Sequence, residues 1–334
     1  AANNTSVAAK QTLTIDTTAP TVGASTDKAD GSYKVGEEIN ITLTFSEDVH
    51  LVGSNGLNVT LNTNDVINIT AAELNGVSTV TKEYTVGAGD TSTDLAITGV
   101  ALGSSAALTD AAGNSIASSI SLTSNIGTSD AIVIDTTAPG TVSITSSAAD
   151  TSDSTPTITM TADTGSTVKV FANGTELGTA TEGTGSSLGT FTFTPASSAA
   201  LSDGNYSIVA TSTDTAGNVT SSTAQELVID TTIPGVPTIT SASTGITATP
   251  TITGTAEVGS SVSVVFAGAT YSTTATDGTW SITVGSTHST GTLSLNANGA
   301  NSVSVTAKDA ANNTSVAAKQ TLTIDTTAPT VGAS

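Results

Sequence analysis

Hydrophobic and polar residues alternate along much of this chain, which is the pattern of strands that bury one face. The alternation is clear in six segments, at 38–45, 57–61, 167–171, 206–210, 261–266 and 301–305. A period of two residues places every second side chain on the same side of a strand. Turn signals lie between these segments at Asn173-Gly174, Asp203-Gly204 and Asp277-Gly278. No long segment has a helical period, and only residues 71–74 fit one short helical turn.

One six-residue sequence, IDTTAP, recurs between the strand-rich regions. It occurs at 15–20, 134–139 and 324–329, and it occurs as IDTTIP at 229–234. Its aspartates, Asp16, Asp135, Asp230 and Asp325, are separated by 119, 95 and 95 residues. Residues 1–25 recur without change as residues 310–334, an offset of 309. Self-similarity of this kind is the signature of tandem structural repeats.

The linkers divide the chain into three modules and two partial ones. We predict an enlarged first domain at 20–135, a second at 136–230 and a third at 231–325. Residues 1–19 then read as the last strand and linker of a preceding repeat, and residues 326–334 as the start of a following one. Repeats of about 95 residues with about seven short strands are typical of immunoglobulin-like (Ig-like) β-sandwiches. We therefore predict an all-β protein of tandem sandwiches. Because each linker proline restricts the backbone, we expect the sandwiches to lie end to end as an extended rod.

Composition narrows the choice of partner. The chain has 28 acidic and 7 basic residues, all of the latter lysine, and a formal net charge of -21. Nucleic-acid binding needs clustered positive charge, so this balance argues against it and favours binding of cations. The chain has no cysteine, which excludes disulfides and thiolate metal sites. It also has no apolar run long enough to span a membrane.

Short motifs recur at matching positions of the modules. The second and third share TPTI at 155–158 and 249–252, followed by the loops ADTGS at 162–166 and AEVGS at 256–260. The three modules also carry DAAGN at 110–114, DTAGN at 214–218 and DAANN at 309–313. With these motifs in register, the chain resembles the bacterial Ig-like domain arrays of giant, type I-secreted RTX, non-fimbrial and biofilm-associated adhesins. The resemblance implies an extracellular stalk stiffened by calcium at the junctions between modules.

Acidic and amide side chains are predicted to converge where the chain enters each sandwich. In this fold the entering linker shares one pole with the loop after the second strand and the loop after the sixth. Carboxylates that approach one another repel, and Ca²⁺, which takes 6–8 oxygen ligands, compensates their charge. The predicted ligands are Asp16, Glu47 or Asp48, Asp110 and Asn114 in the first domain; Asp135, Asp163, Asp214 and Asn218 in the second; and Asp230, Glu257, Asp309 and Asn313 in the third.

The same residues also suit a role without metal, because Asp and Asn bond their own backbone in tight turns. Recurrence of the set at one pole of three domains favours calcium over turn chemistry alone. The helix-loop-helix calcium motif is absent, so any site must be assembled from separate loops.

A structural role is the leading functional hypothesis. We predict an extender segment of a large bacterial cell-surface adhesin, which holds a distal adhesive domain away from the cell. Its expected partners are neighbouring Ig-like repeats and, through other domains of the parent, a host-cell or surface ligand. Two alternatives stay open: one domain, the first in particular, binds a glycan or protein, or the repeats join head to tail by strand complementation into an extracellular fibre. No catalytic set accompanies the junction acids, so we expect no enzyme activity.

Overall fold

The computed structural model describes residues 10–146, 150–287 and 290–331, which are almost entirely strands and turns. The chain divides into two compact units, residues 1–139 with 213–220, and residues 140–212 with 221–334. Within the described residues, buried apolar side chains form three clusters, at 22–134, 142–210 and 252–324. The predicted fold class, all-β with tandem Ig-like sandwiches, is confirmed. No described helix is long and apolar enough to cross a membrane.

The first domain has eleven strands and one short helix, α1 (Ile126–Ser129), in its described residues. The strands are β1 (Val22–Thr26), β2 (Gly31–Tyr33), β3 (Glu38–Val52), β4 (Leu57–Leu61), β5 (Val66–Ile69), β6 (Asn75–Thr85), β7 (Thr91–Ser92), β8 (Ile97–Leu102), β9 (Ala107–Asp110), β10 (Ser119–Ile120) and β11 (Ile132–Asp135). One sheet has the order β1-β3-β6, with β9 also paired to β3, and a second has the order β10-β8-β4-β5. A third sheet, β2-β11-β7, pairs β2 in parallel with the closing strand β11.

Strand β3 carries the irregularity that matters for the site. Its first half alternates as the sequence predicts, with Ile39, Ile41 and Leu43 buried. Pairing with β6 then breaks after Thr44 and resumes at Val49, from which β3 also pairs with β9. Such a bulge re-aims the side chains of a strand. The residues between the two paired halves include Glu47, one of the predicted ligands.

The second domain has ten strands in its described residues, with short 3₁₀ helices at Gly185–Ser187 and Ser197–Ala199. The strands are β12 (Ser143–Ile144), β13 (Asp150–Thr151), β14 (Ile158–Thr161), β15 (Thr167–Ala172), β16 (Thr175–Thr179), β17 (Thr181–Glu182), β18 (Thr190–Phe193), β19 (Gly204–Thr213), β20 (Val219–Ser221) and β21 (Gln225–Ile229). One sheet has the order β12-β14-β18-β17, and the other contains β13-β21-β19-β15-β16. Here too a short strand, β13, lies parallel to the closing strand, β21.

The third domain repeats this plan. Its described strands are β22 (Thr238–Ile239), β23 (Thr244–Gly245), β24 (Thr251–Thr255), β25 (Ser261–Phe266), β26 (Ala269–Thr274), β27 (Thr279–Thr283), β28 (Thr290–Gly291), β29 (Asn298–Lys308) and β30 (Ala318–Asp325). They form the sheets β22-β24-β27 and β23-β30-β29-β25-β26-β28. Trp280, the chain's one tryptophan, is 3% exposed and lies opposite Gly254 in the smaller sheet. The absence of a side chain at Gly254 makes room for the indole ring.

The six strands predicted from alternation are all present, with small differences at their ends. Residues 71–74 form a hydrogen-bonded turn rather than helix, in which the Glu73 N–H donates to the Thr70 carbonyl at 3.1 Å. Helix α1 was not predicted. Of the two partial repeats, residues 10–19 and 326–331 form no strand, and residues 1–9 and 332–334 lie outside the described residues. The domain boundaries stay a prediction.

Candidate metal site at the domain entrances

The motifs at 110–114, 214–218 and 309–313 fold into the same turn. In each, the N–H of the first residue, Asp, donates to the carbonyl of the last, Asn, at 3.1 Å. The fourth residue is in the left-handed region, with φ of +91° at Gly113, +88° at Gly217 and +75° at Asn312. Glycine adopts this conformation without strain, and asparagine tolerates it better than most residues. The change from Gly to Asn in the third domain therefore leaves the turn intact.

The asparagine side chain of each turn bonds the turn to the incoming linker. Its backbone N–H and its Nδ2 donate to the two carboxylate oxygens of the turn aspartate at 2.8–2.9 Å. The same Nδ2 also donates to the backbone carbonyl of the linker aspartate. These bonds are Asn114 to Asp16 at 3.2 Å, Asn218 to Asp135 at 2.9 Å and Asn313 to Asp230 at 2.7 Å. The amide nitrogen, not the amide oxygen, therefore faces the carboxylate, and it holds the linker to the turn through direct hydrogen bonds.

The linker aspartate closes a turn of its own. Its Oδ1 accepts the N–H of the threonine two residues later, at 2.9–3.0 Å, in all four copies of the linker, beginning at Asp16, Asp135, Asp230 and Asp325. This is the local turn chemistry of Asp. It depends on residues within the linker alone, which explains why every copy has it.

The two linker threonines are held by the domain that precedes them. Asp203 accepts hydrogen bonds from the Thr231 N–H and hydroxyl at 3.0 and 2.8 Å and from the Thr232 hydroxyl at 2.9 Å. These bonds hold the pKa of Asp203 below its usual value, because they stabilise the carboxylate. Asn298 accepts the matching bonds after the third domain. From the sequence, Asp203 was predicted only as part of a turn. The presence of Asn298 at the matching position 95 residues later is the signal that could have indicated its contact with the linker.

The turns at 214–218 and 309–313 each accept one more hydrogen bond. In both cases the donor is the residue directly after a short parallel strand, β2 or β13. After β2, the Lys34 ammonium donates to the carbonyl of Gly217 at 2.9 Å. After β13, the backbone N–H of Ser152 donates to the carbonyl of Ala311 at 3.1 Å. Nothing in the sequence pattern predicted these bonds. They fix two of the predicted ligand turns from a second side.

Three carboxylates meet at the entrance of the first domain. Oxygens of Asp16, Glu47 and Asp110 all lie within 4.8 Å of one another, and this is the one such group of three among the described residues. Asp16 comes from the linker, Glu47 from the bulge of β3 and Asp110 from the end of β9. Asp48, the alternative to Glu47, is exposed and outside the group.

The pKa values of Glu47 and Asp110 are shifted in opposite directions. Burial, followed by the charges of Asp110 and Asp16, raises the pKa of Glu47. Burial also acts to raise the pKa of Asp110, but hydrogen bonds from the side chain and backbone of Asn114 and the backbone of Gly113 outweigh it, and the pKa is lowered. Asp110 is therefore stabilised as the anion, whereas burial and the two neighbouring charges disfavour the anion of Glu47.

The spacing and chemistry of the group are compatible with part of a calcium site, which takes 6–8 oxygen ligands in all. Two oxygens bound to one Ca²⁺ lie no more than about twice the Ca–O distance apart, or roughly 5 Å. The three carboxylates satisfy that limit, and they offer the hard oxygen ligands that calcium prefers over nitrogen or sulfur. Residues from three separate elements would share the ion, so the ion would fasten the linker to the sandwich.

In the second domain, the predicted ligand Asp163 is hydrogen-bonded to the backbone that follows the linker. Asp163 accepts the backbone N–H of Gly140 at 2.6 Å. In the first domain the corresponding bond, at 3.0 Å, runs from the Thr21 N–H to the Ser46 hydroxyl, so Ser46 takes the position of Asp163.

In the third domain, the Glu257 carbonyl accepts the N–H and hydroxyl of Ser260 at 3.1 and 2.7 Å. Its carboxylate does not join Asp230 and Asp309 in a close group within the described chain. The ligand assignments in all three domains stay predictions.

Comparison with known proteins bears on the second domain. The model of the family described as "Bacterial Ig-like domain" matches residues 128–231. This segment is similar to bacterial Ig-like domains. The resemblance predicted from the sequence is confirmed there, over a range that contains both Asp163 and the turn at 214–218. No curated protein matches the chain.

Several solved structures are similar to this chain at low sequence identity. One contains the fibronectin(III)-like modules of Clostridium thermocellum CbhA, with 17% identity, 55% of this chain and 94% of that chain covered, and a TM-score of 0.36. Another belongs to a 1.5-MDa bacterial ice-binding adhesin, with 20% identity, 93% and 99% covered, and a TM-score of 0.36. A third contains domains A168–A170 of titin, with 9% identity, 92% and 99% covered, and a TM-score of 0.32.

Proposed function

We propose that this chain is an extender segment of a large adhesin on the bacterial cell surface, secreted by the type I route, in which calcium stiffens the joints between Ig-like domains. The group of Asp16, Glu47 and Asp110 carries the calcium part of the proposal. It lies where the linker enters a sandwich, beside the asparagine that bonds linker to turn. The expected partners are neighbouring Ig-like repeats of the same polypeptide, and adhesion belongs to other domains of the parent.

The carboxylates of the joint differ in exposure and in how firmly they are held. Asp16 is exposed on the linker, whereas Asp110 is 3% exposed and anchored in its turn. Without a cation, Glu47 and Asp16 repel Asp110, and the weakly anchored linker yields first. With a cation bound, Asp16 and Glu47 are attracted to the same point, and the joint is stabilised by mass action. Calcium sites of extracellular modules bind at about 0.1–1 mM, which suits a surface protein.

Glu47→Gln gives the sharpest test of this proposal. The substitution removes the charge that is crowded in the absence of metal but keeps the shape of the side chain. In chelator, the first domain of the variant should therefore melt at the same or a higher temperature than the wild type. In calcium, the wild type should gain stability and the variant should gain much less. Scanning calorimetry with and without calcium measures both effects, and small-angle scattering measures whether the chain lengthens when calcium is added.

Asp48→Asn is the matched control, because it removes a neighbouring carboxylate that lies outside the group. This variant should respond to calcium as the wild type does. A wild type with identical melting and scattering curves in calcium and in chelator would rule out the calcium joint. An undiminished calcium response in Glu47→Gln would rule out this particular site.

A further inference from the structure

Lys34 of the first domain contacts a turn of the second. Its Nζ donates at 2.9 Å to the carbonyl of Gly217, which lies 183 residues later in the 214–218 turn. That turn joins β19 to β20 of the second domain, yet residues 213–220 belong to the same compact unit as residues 1–139. A turn of one sandwich is thus held by a side chain of the sandwich before it.

The backbone of Lys34 is itself fixed in a tight turn. The Lys34 N–H donates to the Glu37 carboxylate at 2.8 Å, and the Glu37 N–H donates to the Lys34 carbonyl at 3.2 Å. Gly36, with φ of +84°, lies inside this turn, and its N–H donates at 2.9 Å to the carbonyl of Val86, just after β6. The side chain therefore starts from a preorganised position, which reduces the entropy lost when its ammonium is held.

The stem of Lys34 fits against Gly217 because that residue has no side chain. A Cβ at Gly217 would lie 3.3 Å from Nζ and 3.7 Å from both Cδ and Cε of Lys34. Both residues are half-buried, so their hydrogen bond is partly shielded from water. Lys34 is in neither of the two ion pairs found among the described residues. Its ammonium is therefore directed at the turn and not at an acid of its own domain.

The matching turn of the third domain is held differently. There the fourth residue is Asn312 instead of Gly217. The donor from the preceding domain is the backbone N–H of Ser152, which bonds the Ala311 carbonyl at 3.1 Å. A hydrogen bond from an ionised donor is about twice as strong as one between neutral groups. The turn of the second domain therefore receives the stronger of the two attachments.

We propose that Lys34 fastens the first domain to the 214–218 turn of the second domain when calcium is absent. The ammonium supplies a hydrogen-bond donor and brings a positive charge to a turn that contains the Asp214 carboxylate. The contact does not depend on the calcium proposal, because it is made without a metal. Removal of calcium should therefore leave this joint more firmly held than the entrance of the first domain, where three carboxylates repel one another.

Amide hydrogen exchange of the full chain in chelator tests the proposal. The amides of three turn residues are bonded within the turn in both domains; they are Asp214, Gly217 and Asn218 in the second domain and Asp309, Asn312 and Asn313 in the third. Lys34→Met keeps most of the apolar stem and removes the donor and its charge. Exchange at the second-domain amides should become about tenfold faster, because a bond from a charged donor is lost. The third-domain amides should exchange as in the wild type.

Two controls separate this effect from damage to the first domain. The amides of Gly36 and Val86, bonded beside Lys34, should keep their wild-type exchange in Lys34→Met. Lys28→Met removes the same charge from a lysine whose ammonium lies 5.8 Å from the centre of the Tyr33 ring. It should leave the second-domain amides unchanged.

The motion of the joint is measured in the same two variants. The chain has no cysteine, so a pair of spin labels can be placed at Ser54→Cys in the first domain and Ser186→Cys in the second, both exposed positions. The distribution of distances between the labels should broaden in Lys34→Met and stay unchanged in Lys28→Met. Unchanged exchange at the second-domain amides, equally faster exchange in both turns, or equal distance distributions in the two variants would overturn the proposal.

Discussion

Asn313→Ala should destabilise the third domain by releasing the linker from the 309–313 turn. The side chain of Asn313 is buried, and its Nδ2 donates at 2.7 Å to the carbonyl of Asp230 and at 2.9 Å to the carboxylate of Asp309. Alanine removes both bonds but leaves the backbone N–H of residue 313, which bonds Asp309 at 2.8 Å. The turn itself should therefore survive, and the loss should fall on the attachment of the linker.

The magnitude follows from the two bonds. A hydrogen bond to a charged group contributes about 1.5–3 kcal/mol, and one between neutral groups about 0.5–1.5 kcal/mol. Because such contributions are not strictly additive, we expect a loss of about 2–4 kcal/mol in the free energy of unfolding. Urea m-values of small domains are about 1–3 kcal/mol per molar, so the midpoint of unfolding should fall by roughly 1–2 M.

Trp280 makes the assay specific to this domain, since it is the chain's one tryptophan and lies in the third core. Urea titration followed by tryptophan emission then reports the third domain while the others unfold unseen. Thr314→Ala is the control, because that residue is adjacent and exposed. A midpoint for Asn313→Ala that fell no further than that of Thr314→Ala would refute the reasoning that the asparagine holds the linker.

Two further predictions concern pH and packing. The hydrogen bond from Lys82 is the largest of the interactions that lower the pKa of Glu73 to about 2 from 4.5. Because the value is lowered, this pair stabilises the first domain above about pH 4.5, and the contribution is lost as the pH falls from about 4.5 to 2. In Glu73→Gln, the melting temperature measured by calorimetry should therefore depend less on pH over that range. An unchanged pH dependence would contradict this. Gly254→Ala should lower the free energy of unfolding, measured by urea titration of Trp280 emission, by about 1–3 kcal/mol, because its Cβ would collide with Trp280. Gly235→Ala is the control and should change it little, because its Cβ would meet no atom within 4 Å. Equal losses in the two variants would refute the packing argument.

Much of the sandwich could be predicted because its strands bury one face. In β3 and β25 the alternation of Ile39, Ile41 and Leu43, and of Val262 and Val264, coincides with the buried positions. The closing strands were also predictable, since apolar residues run directly into each linker. Helix α1 was not, because four residues are too few to show a period and only one of them, Ile126, is buried.

The candidate site was predictable only in its parts. The sequence named Asp16, Glu47 and Asp110, and the period of two in β3 places Glu47, not Asp48, in phase with the buried residues Phe45 and Val49. It does not show that Glu47 meets the linker, because that depends on the break in pairing with β6, which is a property of two strands together. The direction of the Asn114 amide was equally hidden, because Asn offers an oxygen ligand and a nitrogen donor from the same side chain.

The turn role of the aspartate of IDTTAP and its proposed calcium role can be separated by one substitution. Its carboxylate accepts the N–H of Thr18 and its carbonyl accepts the amide of Asn114, and an asparagine at position 16 makes both bonds as well. Turn chemistry alone would therefore accept Asn at this position, whereas a calcium joint needs the charge beside Glu47 and Asp110. Asp16→Asn should keep the melting temperature of the first domain in chelator and lose most of the gain that calcium gives. A loss of stability in chelator would show that the charge itself supports the turn, and a full calcium response would show that the linker carboxylate is not a ligand.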